Sequence, residues 1–166
     1  PHQPEFKISI GDFSDGVPKG SGREFSFSVE RKDNFNGPIR LDISDAPAGF
    51  HISTPILIEA EQQRAFGSIH ADADAATPEN DFVTVTATAT VRSKKVSREI
   101  GKVTKVKPLE KPKLLVQVTS NTRGAVETGT FAEPLEFTIA PGETISARVK
   151  VERNGFNGRI ELGGHD

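Results

Sequence analysis

The chain has 166 residues, 34% of them apolar, with 15 Gly, 11 Pro and 11 Phe but no Cys, Met, Trp or Tyr. A net charge of −2, shared evenly between residues 1–107 and 108–166, argues against a nucleic-acid binder. Without cysteine there are no disulfides, thiolate zinc sites or cysteine nucleophiles, and no apolar run reaches the ~18 residues of a membrane-spanning helix. The missing Met points to a processed or excerpted chain, and no signal peptide stands at its start.

Helix signals are nearly absent, and the strand signals come in order. Phe6 to Ile10 opens the pattern. Gly16 to Gly22 (GVPKGSG) has glycines spaced superficially like a phosphate loop. Lys19 lacks the Ser or Thr that should follow it, and no helix comes next, so the segment reads as a turn. Arg23 to Arg31 alternates strictly, directing Phe25, Phe27 and Val29 inward. Ile39 to Ile43, Ile56 to Glu59 and Ala65 to Ile69 are shorter candidates. Phe82 to Val91 (FVTVTATATV) is the clearest strand, with Thr on one face and apolar residues on the other. Ser93-Lys94-Lys95 reads as a hairpin turn returning through Val96 to Val106, with Val96, Ile100, Val103 and Val106 facing the core. Seven strands over about 100 residues, punctuated by Gly and Pro, is the count of an immunoglobulin-like β-sandwich.

Residues 108–112 (PLEKP) form a short, semi-rigid linker. Leu114 to Val118 then restarts the pattern, Thr119 to Pro134 is a polar insertion, and Leu135 to Ile139, Thr144 to Arg153 and Arg159 to Leu162 are further strands. The division is therefore a sandwich over 1–107, a linker over 108–112, and the first part of a second sandwich over 113–166. That second module is partial: it is either cut short or completed by other strands.

One phrase is written twice. Val29-Glu30-Arg31, Phe35-Asn36-Gly37, Ile39 and Leu41 recur as Val151-Glu152-Arg153, Phe156-Asn157-Gly158, Ile160 and Leu162. The offset is 122 residues for the first triplet and 121 for the rest, the difference being a one-residue deletion in the turn. Asn and Gly tolerate positive φ, so Asn36-Gly37 and Asn157-Gly158 are expected to close tight turns, with Phe35 and Phe156 folded back as plugs. A period of this length is that of one β-sandwich domain, which makes the chain a tandem array.

The phrase, with Ala46-Pro47-Ala48-Gly49-Phe50 and the Phe82–Val91 strand, resembles bacterial immunoglobulin-like repeats of large exported and cell-surface proteins. The resemblance implies an extracytoplasmic location (periplasm, cell surface or secreted) and a structural role, with partners among other repeats or chains. Such sandwiches often carry a Tyr at the start of the penultimate strand, where this chain has Phe82.

Candidate chemistry is sparse. Asp72, Asp74, Glu79 and Asp81 in the loop 70–81 could offer oxygen ligands to Ca²⁺, but no ligand-loop spacing organises them, and a solvated acidic turn is the default. Arg92, Lys94, Lys95, Arg98, Lys102 and Lys105 crowd one hairpin and suggest a polyanion-binding stripe. Basic residues on an edge strand also discourage edge-to-edge aggregation. The four histidines share no metal-site spacing, and no nucleophile motif organises Ser, Asp and His, so neither catalytic residues nor a cofactor is expected. Glycan binding is disfavoured by the absence of Trp and Tyr. The expected function is a non-catalytic spacer or assembly module. The alternatives are a carbohydrate- or polyanion-binding sandwich, or an accessory domain of a larger enzyme.

Overall fold

The computed structural model describes residues 5–11, 16–120, 137–161 and 163, and among these it contains strands and no helix. The chain divides into two units, residues 1–111 and 112–166.

The first unit is a β-sandwich. One antiparallel sheet has the order β1 (Glu5–Ile10), β3 (Ser21–Lys32), β7 (Arg64–Ala71), β5 (Phe50–Ile52). The other has the order β6 (Ile56–Ile58), β4 (Ile39–Ser44), β8 (Phe82–Val91), β9 (Lys94–Thr104). β2 (Val17–Pro18) pairs in parallel with β10 (Pro108–Leu109), so the first two residues expected in the linker are a strand instead.

Alternation places the core between the sheets. Phe25, Phe27 and Val29 of β3 are buried, as are Val83, Val85, Ala87 and Ala89 of β8, while the intervening Ser and Thr face outward. Burial of such side chains contributes roughly 1.5–3 kcal/mol each. Gly67, opposite Phe25, is required by packing: a Cβ there would meet Ile56 Cδ1 at 2.5 Å and Phe25 Cζ at 2.6 Å.

Four local expectations need correction. The β8–β9 turn is Arg92-Ser93, both at positive φ (47° and 63°), so Lys94 and Lys95 belong to β9. A register shift between Val85 and Thr86 reverses the parity of β9. That shift keeps Val96, opposite the buried Ala89, on the same face as Val103, and Val103 and Val106 are buried with Ile100 half-buried; Val96 is nevertheless exposed, near the end of the hairpin. β5 has no counterpart in the sequence-based set, because three residues carry too little alternation to register.

The fourth correction concerns the Phe-Asn-Gly segment. The left-handed residues after β3 are Asp33 and Asn34 (φ 50° and 61°), closed by the Phe35 N–H donating to the Lys32 carbonyl at 3.0 Å. Neither Asn36 nor Gly37 has positive φ. Residues 35–38 carry the chain from one sheet to the other, from β3 to β4, so they do not close a hairpin.

The second unit contains one antiparallel pair, β11 (Leu114–Ser120) and β12 (Ala147–Arg153). Residues 137–140 and 144–146 are not in strands, nor are 159–161; of the insertion expected over 119–134, Thr119 and Ser120 belong to β11 and the rest lies outside the described residues, as do Leu135 and Leu162. No helix among the described residues is long and apolar enough to cross a membrane.

Candidate functional sites

The repeated phrase builds a clamp around an arginine. Arg31, near the end of β3, donates from Nη1 to the Gly37 carbonyl (2.6 Å), from Nε to the Gln62 carbonyl (3.0 Å) and from Nη2 to the Glu59 carbonyl (2.9 Å). Three loop carbonyls thus converge on one planar fork, a task to which guanidinium geometry is suited. Burial pulls the Arg31 pKa below its ordinary value, and Glu61 opposes that pull.

The same guanidinium lies 5.6 Å from the Phe35 ring centroid. Phe35 is buried and packs at 5.4 Å against Phe6, the cross-strand partner of Arg31. The Arg98 guanidinium lies over the Phe6 ring, 4.6 Å from its centroid, bonds the Phe6 carbonyl and meets Glu5 at 3.0 Å. Two aromatic rings between two guanidinium groups therefore plug one end of the sandwich. Phe35 is buried, and Gly37 has a packing role: a Cβ there would lie 3.2 Å from the Phe35 ring.

The second copy repeats the local geometry. Arg153 Nη1 donates to the carbonyls of Gly158 (2.8 Å) and Phe156 (3.2 Å), and its guanidinium lies 5.9 Å from the Phe156 ring centroid. A Cβ on Gly158 would meet that ring at 2.6 Å. The shortened turn has Gly155 at φ 81°, and Asn154 Nδ2 donates to the Pro112 carbonyl at 2.9 Å. Asn157, like Asn36, does not have positive φ. Sequence reasoning saw the Phe-Asn-Gly turn and missed the arginine. The signal was present, since Arg stands before Phe-Asn-Gly in both copies.

The six basic residues of the hairpin are not assembled into one stripe. Arg92 is in the turn, with Lys94 and Lys95 beginning β9 beside it. Lys102 opposes Thr84 and Lys95 opposes Thr90, which puts them about 20 Å apart at ~3.4 Å per residue. Lys102 Nζ sits 3.6 Å above the Phe82 ring, and Lys95 raises the local potential around Asp42. Asp42 is held as a carboxylate chiefly by the Arg40 guanidinium, which bonds it at 2.7 Å. Arg98 belongs to the plug, and Lys105 lies beyond β9 at φ 63°.

The acidic loop gathers no cation cage. Among the described residues no three His, Asp or Glu side chains converge as ligands of one metal ion. Asp72 Oδ1 instead meets His51 Nε2 at 3.0 Å, and the Asp72 and Asp81 carbonyls accept the Ala75 and Val106 N–H groups. Glu79 is exposed and Asp74 likewise. His51 pairs across the strands with His70, whose Nδ1 is buried without a hydrogen-bond partner. Burial lowers the His70 pKa; Asp72 opposes the shift and His51 adds to it.

One surface residue escaped the sequence reading. Phe66 of β7 is 56% exposed on the outer face of its sheet, opposite Ser26, with Arg64 and Ser68 beside it along the strand. Alternation alone gives the signal, since Phe66 is out of phase with the inward Ala65, Gly67 and Ile69.

No protein-family model matches the chain, and no curated protein matches it.

Proposed function

We propose that the chain is a non-catalytic structural and interaction module, one sandwich of a tandem array with the opening strands of the next. The observation that carries this reading is the clamp built twice: an arginine at the end of a strand donating to the glycine carbonyl of a Phe-Asn-Gly crossover in each unit. The strand order supports the immunoglobulin-like assignment, because β1-β3-β7-β5 and β4-β8-β9 correspond to A-B-E-D and C-F-G. The additional β6 lies beside β4. Placement in an exported bacterial surface or extracellular protein rests on the sequence resemblance alone.

The mechanism is mechanical. Each sandwich holds a fixed length, and the arginine clamp pins the crossover loop where the chain passes between sheets. The dispersal of the basic residues supports a spacer over a polyanion binder. The test is retention on an anionic matrix across a salt gradient. The expected result is co-elution of the wild-type chain with a Lys94→Glu/Lys95→Glu/Lys102→Glu variant. Salt-sensitive retention lost in that variant would replace the spacer by a polyanion binder.

A second reading, glycan binding, is favoured by Phe66, an exposed ring in a polar field of Ser26, Ser68 and Arg64 suited to stacking on a sugar face. It predicts saturable binding in a glycan-panel titration that Phe66→Ala abolishes. Binding unchanged in that variant would remove it.

A further inference from the structure

The crossover held by Arg31 carries a reactive bond as well as a clamp. Asn36 precedes Gly37 between β3 and β4, outside any strand, and its side chain is exposed. Asparagine is among the thermolabile residues, and one followed by glycine is the most open to attack by the next main-chain nitrogen. Glycine has no Cβ to crowd the five-membered ring that forms. The Gly37 nitrogen bonds to Asn36 Cγ and gives up its proton, the Cγ–Nδ2 bond breaks, and Nδ2 leaves as ammonia. Water then opens the succinimide at either carbonyl. One opening gives aspartate on the original main chain. The other gives isoaspartate, whose main chain runs through Cγ. Water is the only co-reactant.

The ring closes only when the Asn36–Gly37 peptide turns toward the Asn36 side chain, and the fold holds that peptide in place. The Asn36 carbonyl accepts the Glu61 N–H at 3.1 Å. The next carbonyl, that of Gly37, accepts Arg31 Nη1 at 2.6 Å. Arg31 is itself fixed to the Glu59 and Gln62 carbonyls, in the same β6–β7 loop that carries Glu61. On the other side Phe35 is buried against Phe6. An exposed, chemically competent amide therefore sits on main chain that is pinned before and after it.

We propose that Asn36-Gly37 is a site of spontaneous succinimide formation and that the Arg31 clamp gates it. Closed, the clamp keeps the peptide from turning; each local opening of the crossover and the β6–β7 loop lets it turn. The reaction runs one way. Isoaspartate inserts a methylene between the residue 36 Cα and Gly37, and converts the carbonyl that Glu61 holds into a carboxylate. A crossover modified in the open state cannot reclose on the same contacts.

The test incubates the full chain at mildly alkaline pH and follows the tryptic peptide of residues 33–40 by mass spectrometry. Asn34 in that peptide is an internal reference, because Phe35 follows it in place of glycine. Folded wild type is compared with the same chain in guanidinium chloride and with folded Arg31→Gln. Thermal unfolding of the variant sets an incubation temperature below its transition. Deamidation at Asn36 is expected to be at least about tenfold faster in the unfolded chain. In Arg31→Gln it is expected to rise by roughly tenfold over folded wild type, since the lost charge-assisted bonds favour local opening by about that factor. The peptide of residues 154–159, which carries the Asn-Gly pairs of the second unit, keeps its wild-type rate in that variant. Absence of modification at Asn36 in guanidinium chloride overturns the proposal, as does an equal rate in folded and unfolded wild type. An Arg31→Gln rate equal to that of folded wild type also overturns it, because the clamp is then not the gate.

Discussion

Arg31 and Arg153 stand at the same place in the same phrase, and both reach a glycine carbonyl across a Phe-Asn-Gly crossover. Beyond that shared contact the two units diverge. Around Arg31 one further loop, between β6 and β7, delivers two carbonyls, Phe6 and Arg98 extend the stack, and the opposing sheet buries Phe27 and Val29. Around Arg153 the valines opposite β11 remain half-exposed. A local phrase therefore specifies a turn, a register and a clamp. Burial, and the stability that comes from it, depends on a second sheet that the phrase does not encode.

The largest difference should appear in the strand core. Phe27→Ala is expected to cost about 3–5 kcal/mol in urea unfolding of the first unit, against under about 0.5 kcal/mol for Val149→Ala. Similar losses at both positions would mean that the second face is covered. Next come the arginines. Arg31→Ala removes three charge-assisted bonds from a partly buried site and should cost about 2 kcal/mol, while Arg153→Ala should cost under about 1 kcal/mol.

The glycines sharpen the contrast, because distance and freedom point in opposite directions. A Cβ on Gly37 would meet the Phe35 ring at 3.2 Å, and one on Gly158 would meet the Phe156 ring at 2.6 Å. Phe35 is buried against Phe6 and cannot yield, but the half-exposed Phe156 can swing away. Gly37→Ala is accordingly expected to lower stability by about 1 kcal/mol and Gly158→Ala by less, despite the tighter approach. A larger loss at Gly158 would show that its ring is held.

The smallest effect belongs to the first unit alone. Burial favours neutral His70 in the fold, so the unfolded chain binds a proton more readily than the folded one. The stability this preserves is present above the ordinary histidine range and is lost as pH falls from there through the lowered folded value. His70→Gln should flatten that slope in unfolding titrations between about pH 7 and 5. An unchanged slope would assign it to other groups.

The sheets were legible because alternation is a property of consecutive residues: FVTVTATATV announces both its faces, and SFSV within β3 does the same. β9 was misread at Val96: it pairs with the buried Ala89 and so shares the core-facing side of the sheet, but it stays exposed near the hairpin end, and spacing does not show how far cover extends along a strand. The Arg92-Ser93 turn was hidden for another reason: both residues adopt positive φ without the Asn-Gly chemistry that usually advertises it. Conversely, Asn36-Gly37 advertised a turn that closes two residues earlier, at Asp33-Asn34. Gly37 answers to the ring of Phe35, a contact that only the folded loop makes. The clamp was half visible, since the repeat marks Arg31 and Arg153, but the Glu59 and Gln62 carbonyls come from main chain about thirty residues away.

Native-state hydrogen exchange on the full chain tests the central claim most directly. Amides of residues 21–32 and of residues 147–153 occupy equivalent strands and are read in one experiment. The first set is expected to exchange only through global unfolding of its unit and the second through local opening, at least about a thousandfold faster. Equal protection in the two strands would contradict the account, because the second copy of the phrase would then be as fully covered as the first.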